Sequence, residues 1–216
     1  MLATLQKHLV DIYQADCGHR VADFLITDRT VATCLGAQPL AAGIEETVLV
    51  AEDDNGMAVS VYLDKALLSR LEDQNPLGEL KPGQLGDLST VLEGISHFNY
   101  LVWSACQDRS VTLLELELQA EVDKFVATML MALDQNDYEL ARDLHRRLFD
   151  DVSYQPSLDS DQRERYETAN NYAARFCHRM LERMGESAGV QLLRDFYRLT
   201  QVEKISCIHS LAWEGC

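Results

Sequence analysis

The sequence predicts a predominantly helical α+β protein, in which a small N-terminal part with one β-hairpin precedes a helical bundle or a stack of helical hairpins. Three observations carry this expectation. Asn55-Gly56 stands between two β-rich runs, 47–51 and 57–63, and Asn-Gly so placed is the strongest short-range hairpin signal. Apolar residues recur at helical spacing from Leu85 to Val102 and in several later segments. Between these regimes, the segment from Asn75 to Gly86 holds two prolines and three glycines, the composition of a linker. The expected parts are therefore 1–75 and 84–216, either separate or joined as one continuous domain.

Taken in order, Leu2, Leu5, Leu9, Ile12 and Tyr13 lie on one helical stripe, which predicts a first helix over 2–15 that stops before Gly18. The stretch from Val21 to Thr27 reads as a short strand, followed by a helical turn up to Gly36 and a loop holding Pro39 and Gly43. The hairpin occupies about 47–63. Asp64, whose short carboxylate accepts from the free N–H groups of a first turn, caps a helix to about Leu71.

Beyond the linker, Leu85, Leu88, Val91, Leu92, Ile95, Phe98 and Val102 build a helix over 84–103. Thr112 and Glu115 form a capping box for a helix to about Leu133 that is apolar on most sides and so belongs at the centre. Helices over 136–149, 159–184 and 188–199 follow, with a loop through Pro156. A last helix is opened by Thr200, with Glu203 completing a second capping box. The fragment Asn136-Asp137-Tyr138-Glu139-Leu140-Ala141 has the wording of the first helix of a tetratricopeptide unit. Such folds need about three units to bury a core, however, and no fixed period runs through the chain.

Hydrophobic residues at 47% and charged residues at 25% are ordinary globular values. The net charge of −16 argues against a sequence-independent grip on nucleic-acid phosphates. It is concentrated early: residues 1–134 carry 8 basic and 21 acidic side chains, net −13, whereas 135–216 carry 11 and 14, net −3. Ten of those eleven later basic residues are arginine, the side chain whose planar fork suits carboxylates and phosphates. No apolar run reaches the roughly 18 residues that span a bilayer, and the first turn mixes polar and apolar residues where a signal peptide would not. The six cysteines are scattered, without CxxC, as free thiols in a reducing compartment are, and Cys216 lacks the residues of a prenylation signal. A cytoplasmic protein is expected, with a protein partner, no membrane or direct nucleic-acid contact, and no cofactor.

Three constellations bear on chemistry. If the chain turns back near position 107.5, antiparallel partners sum to about 215, so His97 faces about 118 and Glu93 about 122. Glu93 with His97, and Glu117 with Glu121, are each four apart and share a helix face. These four are the candidate metal ligands or acid/base groups, with Tyr100 one turn beyond His97. Di-metal bundles use two Glu-x-x-His pairs, and this chain has Glu-x-x-x-His once, so the plainer reading is an ion-paired stripe of Glu117, Glu121 and Lys124 beside a satisfied histidine.

The second constellation is cysteine beside histidine, at Cys17/His19, Cys177/His178 and Cys207/His209. These are zinc-ligand and thiol-nucleophile residue types, but their spacing fits no familiar module; Cys177 is expected in the core and His178 at its rim. The third is a row of Arg175, Arg179 and Arg183 preceded by Tyr172, the composition of a partner-binding edge or, more plainly, of a solvated face balanced by Glu167 and Glu182. Phosphate-loop, Gly-x-Ser-x-Gly and His-Glu-x-x-His signatures are missing.

The reading that follows is an interaction protein, an adaptor or regulatory accessory using Tyr172, Arg175, Arg179 and Arg183. Its competitor is a metal-dependent or acid/base enzyme using Glu93, His97, Glu117 and Glu121. A third class, an acidic decoy imitating nucleic-acid phosphates, follows from the charge of residues 1–134 alone.

Overall fold

A computed structural model describes residues 1–36, 40–53, 56–154, 158–183 and 187–213. It shows a predominantly helical α+β fold. The hairpin tip with Asn55, the loop positions at Pro39 and Pro156, Met184 and Cys216 lie outside the described residues.

Helix α1 (Leu2–Tyr13) buries Leu5, Leu9 and Tyr13, part of the stripe read from its spacing. The expected strand over 21–27 is largely a 3-10 turn, Val21–Phe24, followed by a strand β1 of only two residues, Leu25–Ile26. The side chain of Gln6 explains the difference. Its Oε1 accepts from the Val21 N–H at 3.0 Å and its Nε2 donates to the His19 carbonyl at 2.9 Å, so α1 satisfies backbone groups that a longer strand would have offered to a neighbour.

Helix α2 (Arg29–Leu35) starts on Asp28, whose side chain accepts from the Thr30 and Val31 N–H groups. Strands β2 (Glu46–Asp53) and β3 (Gly56–Leu63) pair antiparallel, with Glu46 opposite Leu63 and Asp53 opposite Gly56. β1 adds in parallel to the other side of β3, giving the order β1-β3-β2. Asp64 caps helix α3 (Lys65–Asp73) by accepting from the Ala66 N–H.

Helix α4 (Leu85–Cys106) packs on the sheet, on α1 and on helix α5 (Leu113–Asp134). α5 in turn packs on helices α6 (Tyr138–Phe149) and α7 (Ser160–Leu181). Helices α8 (Ser187–Arg198) and α9 (Gln201–Trp213) close against α1 and α7. Sixteen α5 residues are buried, from Glu115 to Ala132, as its central position requires, and six of them are polar or charged: Glu115, Glu117, Gln119, Asp123, Lys124 and Thr128. The cap of α5 departs from expectation. Thr112 Oγ1 accepts from the Glu115 N–H at 3.1 Å, but the Glu115 carboxylate does not return to the cap; it turns inward to Arg109, Tyr100 and the Gln201 N–H.

Gly94 lets α4 approach the sheet. A Cβ there would meet Glu46 Cγ at 3.1 Å and Val61 Cγ1 and Leu63 Cδ2 at 3.2 Å. Replacing Gly94 by valine is expected to destabilise by about 1–3 kcal/mol through overpacking. It should also push Glu46 away from α4, which chemical-shift changes at Glu46 against an otherwise preserved amide spectrum would register. A wild-type urea midpoint in Gly94→Val would overturn this account of the helix–sheet contact.

Candidate functional site

The turn between α4 and α5 sets their register so that Tyr100 meets Glu115, a pair summing to 215, and His97 meets Glu117 one turn further along. On the α4 side, Glu93 and His97 share a face; on the α5 side, Glu117, Glu121 and Lys124 do. The sheet contributes the fifth group. Glu46, the first residue of β2, lies on the same face as Val48, Val61 and Leu63, and that face packs on α4. Helix α7 lays Arg165 and Tyr166 against the assembly.

His97 sits between two carboxylates and is 6% exposed. Its Nδ1 is 3.5 Å from Glu46 Oε1 and its Nε2 is 3.5 Å from Glu117 Oε2. Neither contact is close or well aligned enough to be a hydrogen bond, and both Glu46 Oε1 and His97 Nε2 are buried without a hydrogen bond. Donor atoms of Glu46, Glu93 and His97 all lie within 4.8 Å of one another, and among the described residues they are the group of three such side chains that could close on one metal ion. Glu93 also accepts from Lys124 Nζ at 3.1 Å, and Glu121 accepts from the same ammonium at 2.7 Å. Glu46, Glu93, Glu121 and Lys124 line a cleft of about 300 Å³ together with Tyr154, Tyr166, Thr90, Ser153, Gly43 and Ile44, whereas His97 and Glu117 do not line it.

Charge is unbalanced here. Glu46, Glu93, Glu117 and Glu121 bring four negative charges, and Lys124 and Arg165 two positive ones, the guanidinium lying 3.9 Å from Glu117 Oε1. With a neutral imidazole the cluster is two positive charges short. The proton affinities follow from that deficit. Burial drives the Glu46 carboxyl above the ordinary range, with Glu93 and Glu117 adding to the push against the pull of His97. Burial likewise raises Glu121, against the pull of Lys124. Burial on its own would lower the His97 imidazolium, but Glu117 and Glu46 hold it well above its ordinary value. Burial would also raise Glu93, yet Lys124 and His97 keep that carboxyl below its ordinary value. Burial thus favours protons on Glu46 and Glu121, the neighbouring carboxylates favour one on His97, and Lys124 with His97 disfavours one on Glu93.

Of the four residues expected from the sequence, the structure joins Glu93 and His97 with Glu46. Glu117 touches the imidazole and Glu121 the lysine, and neither belongs to the three-donor group. Tyr100 turns away from the cleft, donating to Glu115 Oε1 at 2.5 Å. The cysteine–histidine pairs form no such group among the described residues: Cys177 is buried with His178 exposed, and His209 packs edge-on against Tyr172. On the α7 edge Arg175 is exposed, Arg179 is paired with Glu182 at 3.0 Å, and Arg183 lies just past the helix. No described helix is long and apolar enough to cross a membrane. Comparison with protein-family models, with curated proteins and with solved structures found no match for the chain.

Proposed function

We propose that the protein is a metal-dependent enzyme whose divalent cation is held by Glu46, Glu93 and His97, of which Glu46 and Glu93 line the cleft. The single observation behind this reading is the approach of those three donors to within 4.8 Å, with Glu46 Oε1 buried and without a hydrogen bond. Bonds of about 2 Å place neighbouring tetrahedral ligand atoms about 3.3 Å apart, so closure of up to about 1.5 Å is required. Two carboxylates and one imidazole suit manganese, iron or zinc, and a dication would offset the two missing positive charges without bound protons. Three protein ligands leave coordination positions facing the cleft, where a metal supplies acidified water or polarises a substrate oxygen; hydrolysis is the reaction class that fits. Tyr154 and Tyr166 would flank the substrate there. The interaction reading of the α7 edge has no comparable observation behind it.

The test is the metal content of protein purified without chelator or affinity metal. Near-stoichiometric manganese, iron or zinc is expected, lost in Glu93→Gln and His97→Gln and retained in Glu117→Gln. A wild-type protein that carries no metal and binds none of the three up to millimolar concentration would sink the proposal.

A further inference from the structure

Within the metal reading just proposed, and resting on it, we infer that Lys124 is a built-in competitor for the cation and that Glu121 is the residue onto which it withdraws. The lysine side chain is 10% exposed, and its ammonium bridges Glu93 Oε2 at 3.1 Å and Glu121 Oε1 at 2.7 Å. Glu93 is one of the three donors; Glu121 is not. The same ammonium therefore engages one carboxylate that a metal needs and one that it does not. Because Lys124 and Glu121 stand three apart on α5, their contact survives any rearrangement at Glu93. An ammonium and a dication a few ångströms apart repel strongly in a buried setting, so the metal enters as the lysine leaves Glu93.

The acidic cluster alone would not support a ligand site. It is Glu46 Oε1, buried without a hydrogen bond on a side chain 10% exposed and facing His97 Nδ1 at 3.5 Å, that points to a ligand there. Lys124 then supplies what a half-buried carboxylate requires when no metal is bound: without it Glu93 and Glu121 would face each other as half-buried charges with no cation between them. The arrangement trades affinity for a fold that stands in either state. It also gives the two neighbouring residues opposite effects on metal binding, which a purely structural ion pair would not.

Calorimetric titration with Mn²⁺ separates the possibilities. Lys124→Gln is expected to bind Mn²⁺ at least tenfold more tightly than wild type, and Lys124→Arg, which keeps the charge, to remain within about threefold of it. Glu121→Gln is expected to weaken binding about tenfold by leaving the lysine on Glu93, yet to have little effect when introduced into Lys124→Gln, because Glu121 acts only through the lysine. Should wild type bind and Lys124→Gln bind no better, the competitor role is overturned while the metal reading stands. Binding by Lys124→Gln alone would support the competitor and sink the metal-enzyme reading for the native chain. If neither binds, both fall. Where Lys124→Gln fails to fold by circular dichroism, Glu121→Gln decides: unchanged affinity there overturns the inference.

Discussion

Glu115→Ala is expected to lower the free energy of unfolding by about 3–5 kcal/mol, the range for removing one partner of a buried ion pair. The Glu115 side chain is 3% exposed. Its Oε1 accepts from Arg109 Nη2 and from the Tyr100 hydroxyl, and its Oε2 accepts from the Gln201 N–H at 3.2 Å. Arg109 reaches further, donating to the Arg198 carbonyl at 3.0 Å and the Leu199 carbonyl at 2.8 Å while its guanidinium lies over the Trp103 ring. One ion pair thus ties the α4–α5 turn to the α8–α9 junction, contacts about 90 residues apart in sequence. Truncating Glu115 leaves a guanidinium that is only 16% exposed without its counter-charge, and a backbone N–H without its acceptor. The double variant Arg109→Leu/Glu115→Leu should cost less than Glu115→Ala, since it removes both charges and fills the space. Urea midpoints at constant slope measure all three proteins. A shift under about 1 kcal/mol in Glu115→Ala, or a double variant worse than the single, would refute this role for the pair.

That junction marks where the sequence stops being legible. The Thr112/Glu115 spacing identified the start of α5 correctly, because a cap is local, but assigned the Glu115 carboxylate to the cap itself. Its real partners, Arg109, Tyr100 and Gln201, are chosen by helix packing that no local spacing encodes. The same division runs through the candidate site. Glu93, His97 and Glu117 could be found because two helices joined by a short turn have a calculable register, and His97 does lie against Glu117. Glu46 could not be found that way. It is in the strand next to Val48 by period two, but the run 47–51 is apolar on both faces apart from Thr47, so the alternation does not reveal which face turns inward. Only the seating of the hairpin over Gly94 selects that face and brings a strand carboxylate to a helix imidazole. Arg165 and Tyr166 were hidden for a further reason: the arginines of α7 form a more regular row at 175, 179 and 183, and spacing along a helix says nothing about which of its ends meets a cleft.

A second large effect should appear with pH at the centre of the core, where Asp123 is 1% exposed. Its carboxylate accepts from the Tyr13 hydroxyl and Ser96 Oγ at 2.6 Å each and from Gln119 Nε2 at 2.7 Å. Burial nevertheless outweighs those three donors and pushes the Asp123 carboxyl from its ordinary 3.8 up to about 6. A carboxyl raised on folding binds its proton more tightly in the native state. The stability it contributes is therefore fully present below the unfolded value and is lost as pH rises through about 6. The whole offset is about 3 kcal/mol, of which about 2 kcal/mol is crossed between pH 4 and 7.5. Asp123→Asn keeps the shape without the titration, so the stability of wild type relative to this variant should fall by about 2 kcal/mol over that interval, read from urea unfolding at each pH. The comparison with the variant matters because Lys204 acts with the opposite sign: burial holds its ammonium well below the ordinary value, so its contribution is lost as pH falls. Gln119 joins the two, accepting from Lys204 Nζ at 2.7 Å while donating to Asp123. A difference between the proteins that stays flat from pH 4 to 7.5 would refute the raised carboxyl. It would mean instead that Asp123 and Lys204 remain a charged pair across the glutamine, the Coulomb attraction between them exceeding the burial of both.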